Sequence, residues 1–579
     1  PVPCGAAPLA VHTPGHGAPL AVDGAPATAW ESAPGDARPA LTLDLGTECE
    51  FGGLVLDWAP GRHLVDYAIE TSPDGVSWHT LREVRGGNGG RDWLYLPETE
   101  ARFLRLRALA GVTRRGCGLR ELTIEPLAWG ASFEAFFEAI AKDAPRGTYP
   151  RAFSGEQPYW TVVGTDGGRE KGLLEEDGRL EVGRASWSLE PFLYEDGKLV
   201  TWADVKPAQG LDRFTLPIPS VSWPLGKLSL EVTAFAIGAP DSSSLVARYR
   251  VRNAGNERRR VRLVLALRPF QVNPPAQFLN TPGGAATIRT IAREGRVVRV
   301  NGDRGVVSLT TPSAFGAATF DQGDVVADFL RRSRLPRAQH VDDPFAHASA
   351  ALAYDLDIAP GAEREVDLLV PLHVPPTPPA GLAGDATVRA RVQEWFDACR
   401  AGWQERIDRV DIRIPELPVD RALRAQLGWI LVNREGAAIQ PGARSYARSW
   451  IRDGALTSSA LLRLGHSEAV RDFIEWFAPY QYADGKVPCC VDQRGSDPVP
   501  EHDSGGEFIF LVAEYFRYTG DSALAQRMWP AVARAATYLD SLRQTRRTAD
   551  WRVPGKEPYF GLLPPSISHE GYSAKPMHS

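Results

Sequence analysis

The spacing of apolar residues changes once along this chain, and that change divides it. Up to about residue 374, short runs alternate between apolar and polar residues, as at 41–45 and 228–234. Such alternation is typical of β-strands with one buried face. A proline-rich segment follows at 375–379, and beyond it apolar residues recur at helical spacing. The sequence therefore predicts a multidomain β + α protein in which the sheets precede a helical region.

The β region is predicted to contain two domains. Residues 1–126 hold short, evenly spaced strand patterns separated by turn signals, which favours a jelly roll. A connector at 127–149 includes one helix, at 133–144. Residues 150–374 show strand patterns without an evident repeat, which predicts one large β-sandwich of two sheets.

The helical region is predicted to begin in a linker. Residues 375–417 are interpreted as this linker, with a helix at 388–406, and residues 418–579 as an all-α domain of paired helices. Its helices are expected at 419–434, 446–464, 467–477, 505–518 and 521–544.

Composition excludes several kinds of partner. The formal net charge is −6, and no broad basic surface is implied, which argues against a nucleic-acid partner. No apolar run approaches the roughly 18 residues that span a bilayer. The start Pro1-Val2 lacks the features of a signal peptide, as a mature N-terminus after cleavage or an expressed part of a longer chain would. We expect a secreted or periplasmic protein without a membrane span.

The six cysteines form no CxxC pair and no Cys/His cluster at zinc spacing. Cys4 and Cys117 bracket the first domain, so a disulfide between them is expected, with two buried thiols as the alternative. Cys489 and Cys490 are adjacent. For them two partly buried thiols are expected rather than a strained disulfide.

Five segments of the first domain, at 21–24, 28–31, 43–46, 72–78 and 102–106, resemble the discoidin (coagulation-factor C-type) family in the right order. The resemblance covers about residues 4–126. It implies an eight-stranded jelly roll that binds glycans, lipids or proteins through loops at one end. Cys4 and Cys117 match that family's end-to-end disulfide.

The same resemblance implies a structural calcium ion near the Asp-Gly turn. Asp23, Thr28 and Glu121 would supply its hard oxygen ligands. The alternative is a capped turn with no metal. No other cofactor is expected.

Three polar clusters lie near predicted helix starts in the helical region. They are Trp450-Ile451-Arg452-Asp453-Gly454, Glu501-His502-Asp503-Ser504-Gly505-Gly506 and Ser566-Ile567-Ser568-His569-Glu570-Gly571-Tyr572. A carboxylate accepts sugar hydroxyls, a guanidinium donates to others, and an indole stacks on a sugar's apolar face. Alone, the first cluster is better explained as an ion pair at a helix start beside a core tryptophan. In a ring of paired helices the loops at one end converge, so three clusters together predict one pocket.

This pattern resembles the (α/α)6-toroid glycoside hydrolases of the glucoamylase type, which often carry a β-sandwich before the toroid. Arg452-Asp453 resembles the pair that holds the terminal sugar, and 561–572 resembles another segment of these enzymes. The resemblance implies an exo-acting, inverting hydrolase of oligo- or polysaccharide. Its substrate-binding residues would be Trp450, Arg452, Asp453, Glu501, His502, Asp503, His569 and Tyr572.

The catalytic carboxylates are harder to place, because a toroid needs about twelve helices and residues 418–579 suffice for about six. A partial toroid is therefore expected, with the catalytic acid and base following residue 579. Glu570 is the acid-like candidate within the chain. Two alternatives stay open: a sugar phosphorylase of the same architecture, and a non-catalytic glycan-binding or adhesion protein.

Overall fold

The computed structural model describes residues 17–110, 116–277, 279–382 and 384–567, together with the backbone pairing of two short strands before residue 12. The architecture is the predicted multidomain β + α arrangement, with a jelly roll, a large sandwich and then helices. Within these residues no helix has both the length and the apolar character needed to cross a membrane.

The first domain is a jelly roll of eight described strands. They are β1 (Val2–Pro3), β2 (Ala10–Val11), β3 (Trp30–Glu31), β4 (Ala40–Trp58), β5 (Asp66–Ser72), β6 (His79–Arg85), β7 (Arg91–Ala110) and β8 (Gly118–Glu125). The main path runs β3-β8-β4-β7-β5-β6, with β1 and β2 paired to β4. The register of β4 against β7 shifts between Asp44 and Cys49, an irregularity of the kind that bends long strands and curls a sheet. Trp30 is buried in the core of this domain.

The predicted disulfide between Cys4 and Cys117 is wrong. Cys117 carries a free, buried thiol, and its N–H donates to Ser32 Oγ at 2.9 Å. Strand β1 runs parallel to β4 with Val2 opposite Cys49, and Cys49 is disulfide-bonded. Cys4 itself lies outside the described residues. Strand β1 therefore lies beside Cys49.

Helix α1 (Phe133–Asp143) joins the jelly roll to the sandwich. Ser132 caps its first turn by accepting a hydrogen bond from the Ala135 N–H. Phe136 contacts Tyr95 of the jelly roll, and Phe137 contacts Phe270 of the sandwich, with ring centroids 5.4 and 5.0 Å apart. The connector thus packs into both domains.

The second domain is the predicted two-sheet sandwich. Its strands are β9 (Trp160–Val163), β10 (Gly172–Glu175), β11 (Leu180–Glu181), β12 (Ser188–Glu195), β13 (Lys198–Val200), β14 (Ala208–Leu211), β15 (Pro219–Leu225), β16 (Leu228–Ile237), β17 (Ser244–Asn253), β18 (Arg259–Arg268), β19 (Thr290–Glu294), β20 (Val297–Val300), β21 (Arg304–Ser308), β22 (Ala314–Ala318), β23 (His340–Asp342), β24 (Ser349–Ile358) and β25 (Glu363–Pro371). One sheet has the order β22-β24-β18-β12-β11-β10-β9, with β13 on β12, and the other β14-β15-β16-β17-β25-β21-β20-β19-β23. Together they contribute the residues of one large apolar core.

The helical region follows. Its described helices are α2 (Asp385–Ile407), α3 (Leu417–Asn433), α4 (Ile451–Arg463), α5 (Ser467–Phe477), α6 (Ser504–Thr519) and α7 (Ser522–Gln544). Helix α4 packs against α5 and α6, and α6 packs against α7. A small sheet orders the loops, formed by β26 (Ser449–Trp450), β27 (Cys490–Asp492) and β28 (Gly495–Ser496). The sequence predicted a helix from residue 446, but the strand pairing of β26 delays its start to Ile451.

A buried ion pair joins the sandwich to the helical region. Arg444 Nε and Nη2 donate to Glu181 Oε1 at 2.9 and 2.7 Å. The other carboxylate oxygen of Glu181 accepts from the Asn273 N–H at 2.8 Å. Both side chains are almost fully buried, so the two charges depend on each other.

Lys171 lies beside this pair and has an unusual environment. Arg444 donates to its carbonyl oxygen at 2.9 Å. Its Nζ is buried without a hydrogen-bond partner among the described residues. Burial lowers the pKa of Lys171 to about 7, although the nearby Glu435 carboxylate opposes this shift. The folded chain therefore holds the ammonium at a cost.

We expect Lys171→Met to raise the free energy of unfolding, and to raise it more at about pH 6 than at about pH 10. Below pH 7 the amine is charged in both states, and only the folded state bears the desolvation cost. Between about pH 7 and pH 10 the unfolded chain keeps a proton that the folded chain has released, so wild-type stability rises with pH. The advantage of the variant should shrink by on the order of 3 kcal/mol across this range.

Urea unfolding at both pH values measures this difference. Lys198→Met, at an exposed position, is the matched control and should show little pH-dependent change. An advantage of Lys171→Met that is the same at both pH values would contradict the assigned pKa.

Candidate functional site

The start of α4 is fixed by hydrogen bonds from a neighbouring strand. Ser449 and Trp450 pair with Val491 and Cys490, and the Ile451 N–H donates to the Cys489 carbonyl at 3.0 Å. Because the strand ends where the helix begins, Arg452 and Asp453 fall in the first turn of α4. Asp453 is partly buried there.

The second predicted cluster stands directly against the first. Arg452 Nε donates to Asp503 Oδ2 at 2.6 Å, and Arg452 Nη2 donates to Glu501 Oε2 at 2.7 Å. Glu501 and Asp503 immediately precede α6, which is the neighbour of α4. The residues of these two helix starts therefore lie together, and one guanidinium joins two carboxylates; that they bind substrate stays a prediction.

The ionisable side chains of this site differ in their exposure and in their pKa shifts. The Glu501 side chain is 3% exposed, whereas that of Asp503 is 39% exposed. Burial raises the pKa of Glu507, one turn into α6, and the Asp503 charge raises it further while Arg452 opposes. Burial and the Lys486 charge lower the pKa of His502, which favours neutral imidazole at pH 7. Arg452 lies among several carboxyl groups, and such a mixed set of donors and acceptors suits a ligand rich in hydroxyls.

The structure gives Trp450 a less exposed position than a stacking platform needs. Its indole is largely buried against Cys489 and Cys490. Tyr446, which the sequence analysis missed, lies 6.1 Å away between ring centroids and is 53% exposed. Among the described residues, Tyr446 presents an exposed aromatic ring next to Trp450.

A second arginine, Arg448, which the sequence analysis also missed, contacts the small sheet next to the site. Arg448 Nε donates to Asp492 Oδ2 at 3.0 Å, and its guanidinium lies 5.6 Å from the Trp450 ring. Burial opposes ionisation of Asp492, but hydrogen bonds from Arg494 and Arg448 hold its pKa at about 2. The only sequence signal for Arg448 was its place four residues before Arg452.

Of the third predicted cluster, the candidate site residues His569, Glu570 and Tyr572 lie outside the described residues. The chain approaches the second cluster just before them, where the Ile567 N–H donates to the Pro500 carbonyl at 3.3 Å. Their roles stay predictions.

The three proposed calcium ligands of the jelly roll come together. Thr28 Oγ1 donates to both Asp23 carboxylate oxygens, at 3.0 and 2.9 Å. Glu121 Oε2 accepts from the Gly24 N–H at 3.0 Å. These contacts also satisfy a capped turn, so both alternatives for this turn fit the arrangement.

The chain also has a cavity whose walls include none of the residues at the starts of α4 and α6. It measures about 310 Å³ and lies between the jelly roll, the end of α1 and a sandwich loop. Asp92 on its wall accepts hydrogen bonds from Trp58 Nε1 and Tyr67 Oη at 2.7 and 2.6 Å, and burial raises the Asp92 pKa. Asp328, across the cavity, has a pKa raised to about 6 by burial and by the Asp324 charge. Composition and strand pattern gave no signal for this cavity, because it forms between domains.

Comparison with known proteins matches residues 9–122 to the F5/8 type C domain family, the family named above from its five segments. The first domain is such a domain. No curated protein matches the chain significantly.

Several solved structures are similar to parts of the chain. Chitosan-binding module 2 from the chitosanase/glucanase of Paenibacillus sp. IK-5, in complex with chitotriose, is 30% identical over 20% of this chain and 94% of the module, with a TM-score of 0.19. CpGH89CBM32-5 from Clostridium perfringens, in complex with GalNAc-beta-1,3-galactose, is 23% identical over 21% and 98%, with a TM-score of 0.19. A bacterial glucoamylase complexed with acarbose is 11% identical over 66% of this chain and 58% of the glucoamylase, with a TM-score of 0.45.

Proposed function

We propose that this chain acts on carbohydrate, and that the starts of α4 and α6 hold the end of a neutral oligo- or polysaccharide. The observation that carries the proposal is the pair of hydrogen bonds from Arg452 to Glu501 and Asp503. They hold a guanidinium, which donates hydrogen bonds, between two carboxylates, which accept them. Sugar hydroxyls both donate and accept, so they match such a mixed set. Tyr446, whose ring contacts that of Trp450, offers an exposed surface for the apolar face of a sugar.

The F5/8 type C domain supports the same proposal. Its family resemblance implies ligand binding by loops at one end, with glycans among the ligands. Cys49 is disulfide-bonded, and disulfides persist mainly in oxidising compartments. This supports the proposal that the protein is secreted or periplasmic. Calcium at Asp23, Thr28 and Glu121 would be structural, and the proposed reaction needs no cofactor.

The reaction proposed is exo-acting, inverting hydrolysis of a glycosidic bond. It requires one carboxylic acid to protonate the leaving oxygen and one carboxylate to activate water. Glu570 is the candidate acid, and the described residues at the starts of α4 and α6 would position the sugar. A phosphorylase of the same architecture would instead require inorganic phosphate for turnover. A non-catalytic glycan-binding protein would bind through the N-terminal domain alone.

Asp453→Asn tests the assignment of the pocket. The substitution keeps the size of the side chain but removes the charge that strengthens hydrogen bonds to sugar hydroxyls, so we expect about a 10- to 100-fold loss of affinity or of kcat/KM. Binding and hydrolysis are measured across a panel of glycans, with and without inorganic phosphate.

Asp472→Asn, on the exposed surface of α5, serves as the control and should leave both readouts unchanged. Glycan binding that is equally strong in the Asp453 variant would move the function to the N-terminal domain.

A further inference from the structure

Two buried thiols and a carboxylate converge behind the candidate site. Cys489 and Cys490 are free, and their Sγ atoms lie 3.6 Å apart. The Cys490 Sγ lies 3.9 Å from Asp497 Oδ2. One ligand atom from each of these three residues lies within 4.8 Å of the other two. We call this group the thiol–carboxylate cluster.

The hairpin of β27 and β28 brings the cluster together. Val491 pairs with Ser496, and Asp492 pairs with Gly495. One step further along the hairpin, the Asp497 N–H donates to the Cys490 carbonyl at 2.9 Å. The cluster is therefore built by a regular backbone ladder.

The Asp497 carboxylate is oriented by its surroundings. Its Oδ1 accepts from the Val499 N–H at 3.0 Å, which leaves Oδ2 toward the Cys490 sulfur. Arg448 approaches Oδ2 to 3.4 Å. Metal-binding carboxylates are commonly held in this way by hydrogen bonds from outside the metal's own ligands.

The spacing of the cluster matches the demands of a tetrahedral thiophilic cation. With Zn–S of about 2.3 Å and Zn–O of about 2.0 Å, tetrahedral angles require sulfurs about 3.8 Å apart and a sulfur–oxygen distance of about 3.5 Å. The sulfur–sulfur distance of 3.6 Å and the distance of 3.9 Å from Cys490 Sγ to Asp497 Oδ2 differ from these by only a few tenths of an ångström. The ligand atoms of Cys489 and Asp497 lie within 4.8 Å of each other. A disulfide, in contrast, needs the sulfurs at about 2.05 Å.

We propose that Cys489, Cys490 and Asp497 bind a thiophilic divalent cation of the Zn²⁺ type. The two sulfurs bind as thiolates, so each thiol releases its proton to solvent as the metal–sulfur bonds form. Three protein ligands leave a fourth position for water or another donor. This site is separate from sugar binding, but Trp450 pairs with Cys490 across the strands, so the metal would stiffen the base of the candidate pocket.

The test measures metal binding by the reduced chain, with Zn²⁺ and Cd²⁺ as probes. After removal of excess metal, we expect about one bound ion per chain, a cadmium–thiolate absorption band, and a rise in melting temperature. Two of the four described free thiols, Cys117, Cys399, Cys489 and Cys490, should become protected from a thiol reagent.

Matched variants decide whether the cluster is responsible. Cys489→Ser/Cys490→Ser should lose the bound ion, and Asp497→Asn should weaken binding by at least about tenfold. Cys399→Ser removes a thiol of α2 and should leave binding unchanged. If the double variant does not fold, protection of exactly the thiols at 489 and 490, mapped in the wild-type chain, replaces it.

Three outcomes would overturn the proposal. They are a reduced wild-type chain that binds neither ion, metal retained by the folded double variant, and protection that falls on Cys117 or Cys399.

Discussion

Arg444→Met is expected to lower the free energy of unfolding by about 3 to 5 kcal/mol. The substitution leaves the Glu181 carboxylate, whose side chain is fully buried, without the guanidinium that donates to it twice. One backbone N–H, from Asn273, would still donate to Glu181, but it cannot neutralise the charge. Since Glu181 belongs to the sandwich and Arg444 to the helical region, the loss weakens the contact between these domains.

Chemical unfolding measures this loss of stability. Two further variants show whether it comes from the buried, unpaired charge. Arg413→Met removes an exposed pair with Asp411, whose side chains are 84% and 63% exposed, and should change the stability far less than Arg444→Met because solvent screens the pair. Adding Glu181→Gln to Arg444→Met removes the unpaired charge and should recover part of the stability. An Arg444 variant as stable as the Arg413 variant would mean that the interface does not depend on this pair.

The local sequence pattern was sufficient to predict the bounds of a helix when those bounds are set by residues within or next to the helix. The helix predicted at 467–477 has these bounds in the structure, because its apolar spacing and the glycine before it are local signals. The start of α4 was predicted five residues too early. Residues 446–450 are compatible with a helix, but Ser449 and Trp450 pair instead with a strand some forty residues away. Pairing with a distant strand does not change the local spacing of apolar residues, so that spacing cannot predict it.

The difference between local and long-range contacts also explains which features of the site could be predicted. That Arg452, Glu501 and Asp503 share a site followed from their places at helix starts, because helix packing brings like ends together. The burial of Trp450 did not follow, because it depends on Cys489 and Cys490 lying across the small sheet. The disulfide prediction was wrong for a similar reason. Spacing in sequence suggested Cys117, while the parallel pairing of β1 places the N-terminal segment beside Cys49.

Arg452→Met is the second substitution with a large expected effect, and it should reduce stability and carbohydrate recognition together. The guanidinium holds Glu501, whose side chain is 3% exposed, and Asp503, which is more open. Without it, Glu501 is a buried charge next to another carboxylate, which costs about 3 kcal/mol. The two carboxylates then lose their common anchor, so we expect affinity for the terminal sugar to fall by at least about 100-fold.

Arg452→Lys separates the effect of the positive charge at this position from the effect of the planar guanidinium geometry. Arg452→Lys restores a positive charge but presents an ammonium group, which cannot hold two carboxylates with a planar fork. It should recover most of the stability and little of the sugar affinity. Arg463→Met on the same helix is the control, because its partner Glu514 is also held by Arg517 and loses little. Unfolding and glycan titration are measured for all three variants. If Arg452→Lys bound sugar as tightly as the wild type, the fork would be structural only, and the proposed grip on the sugar would have to come from other residues.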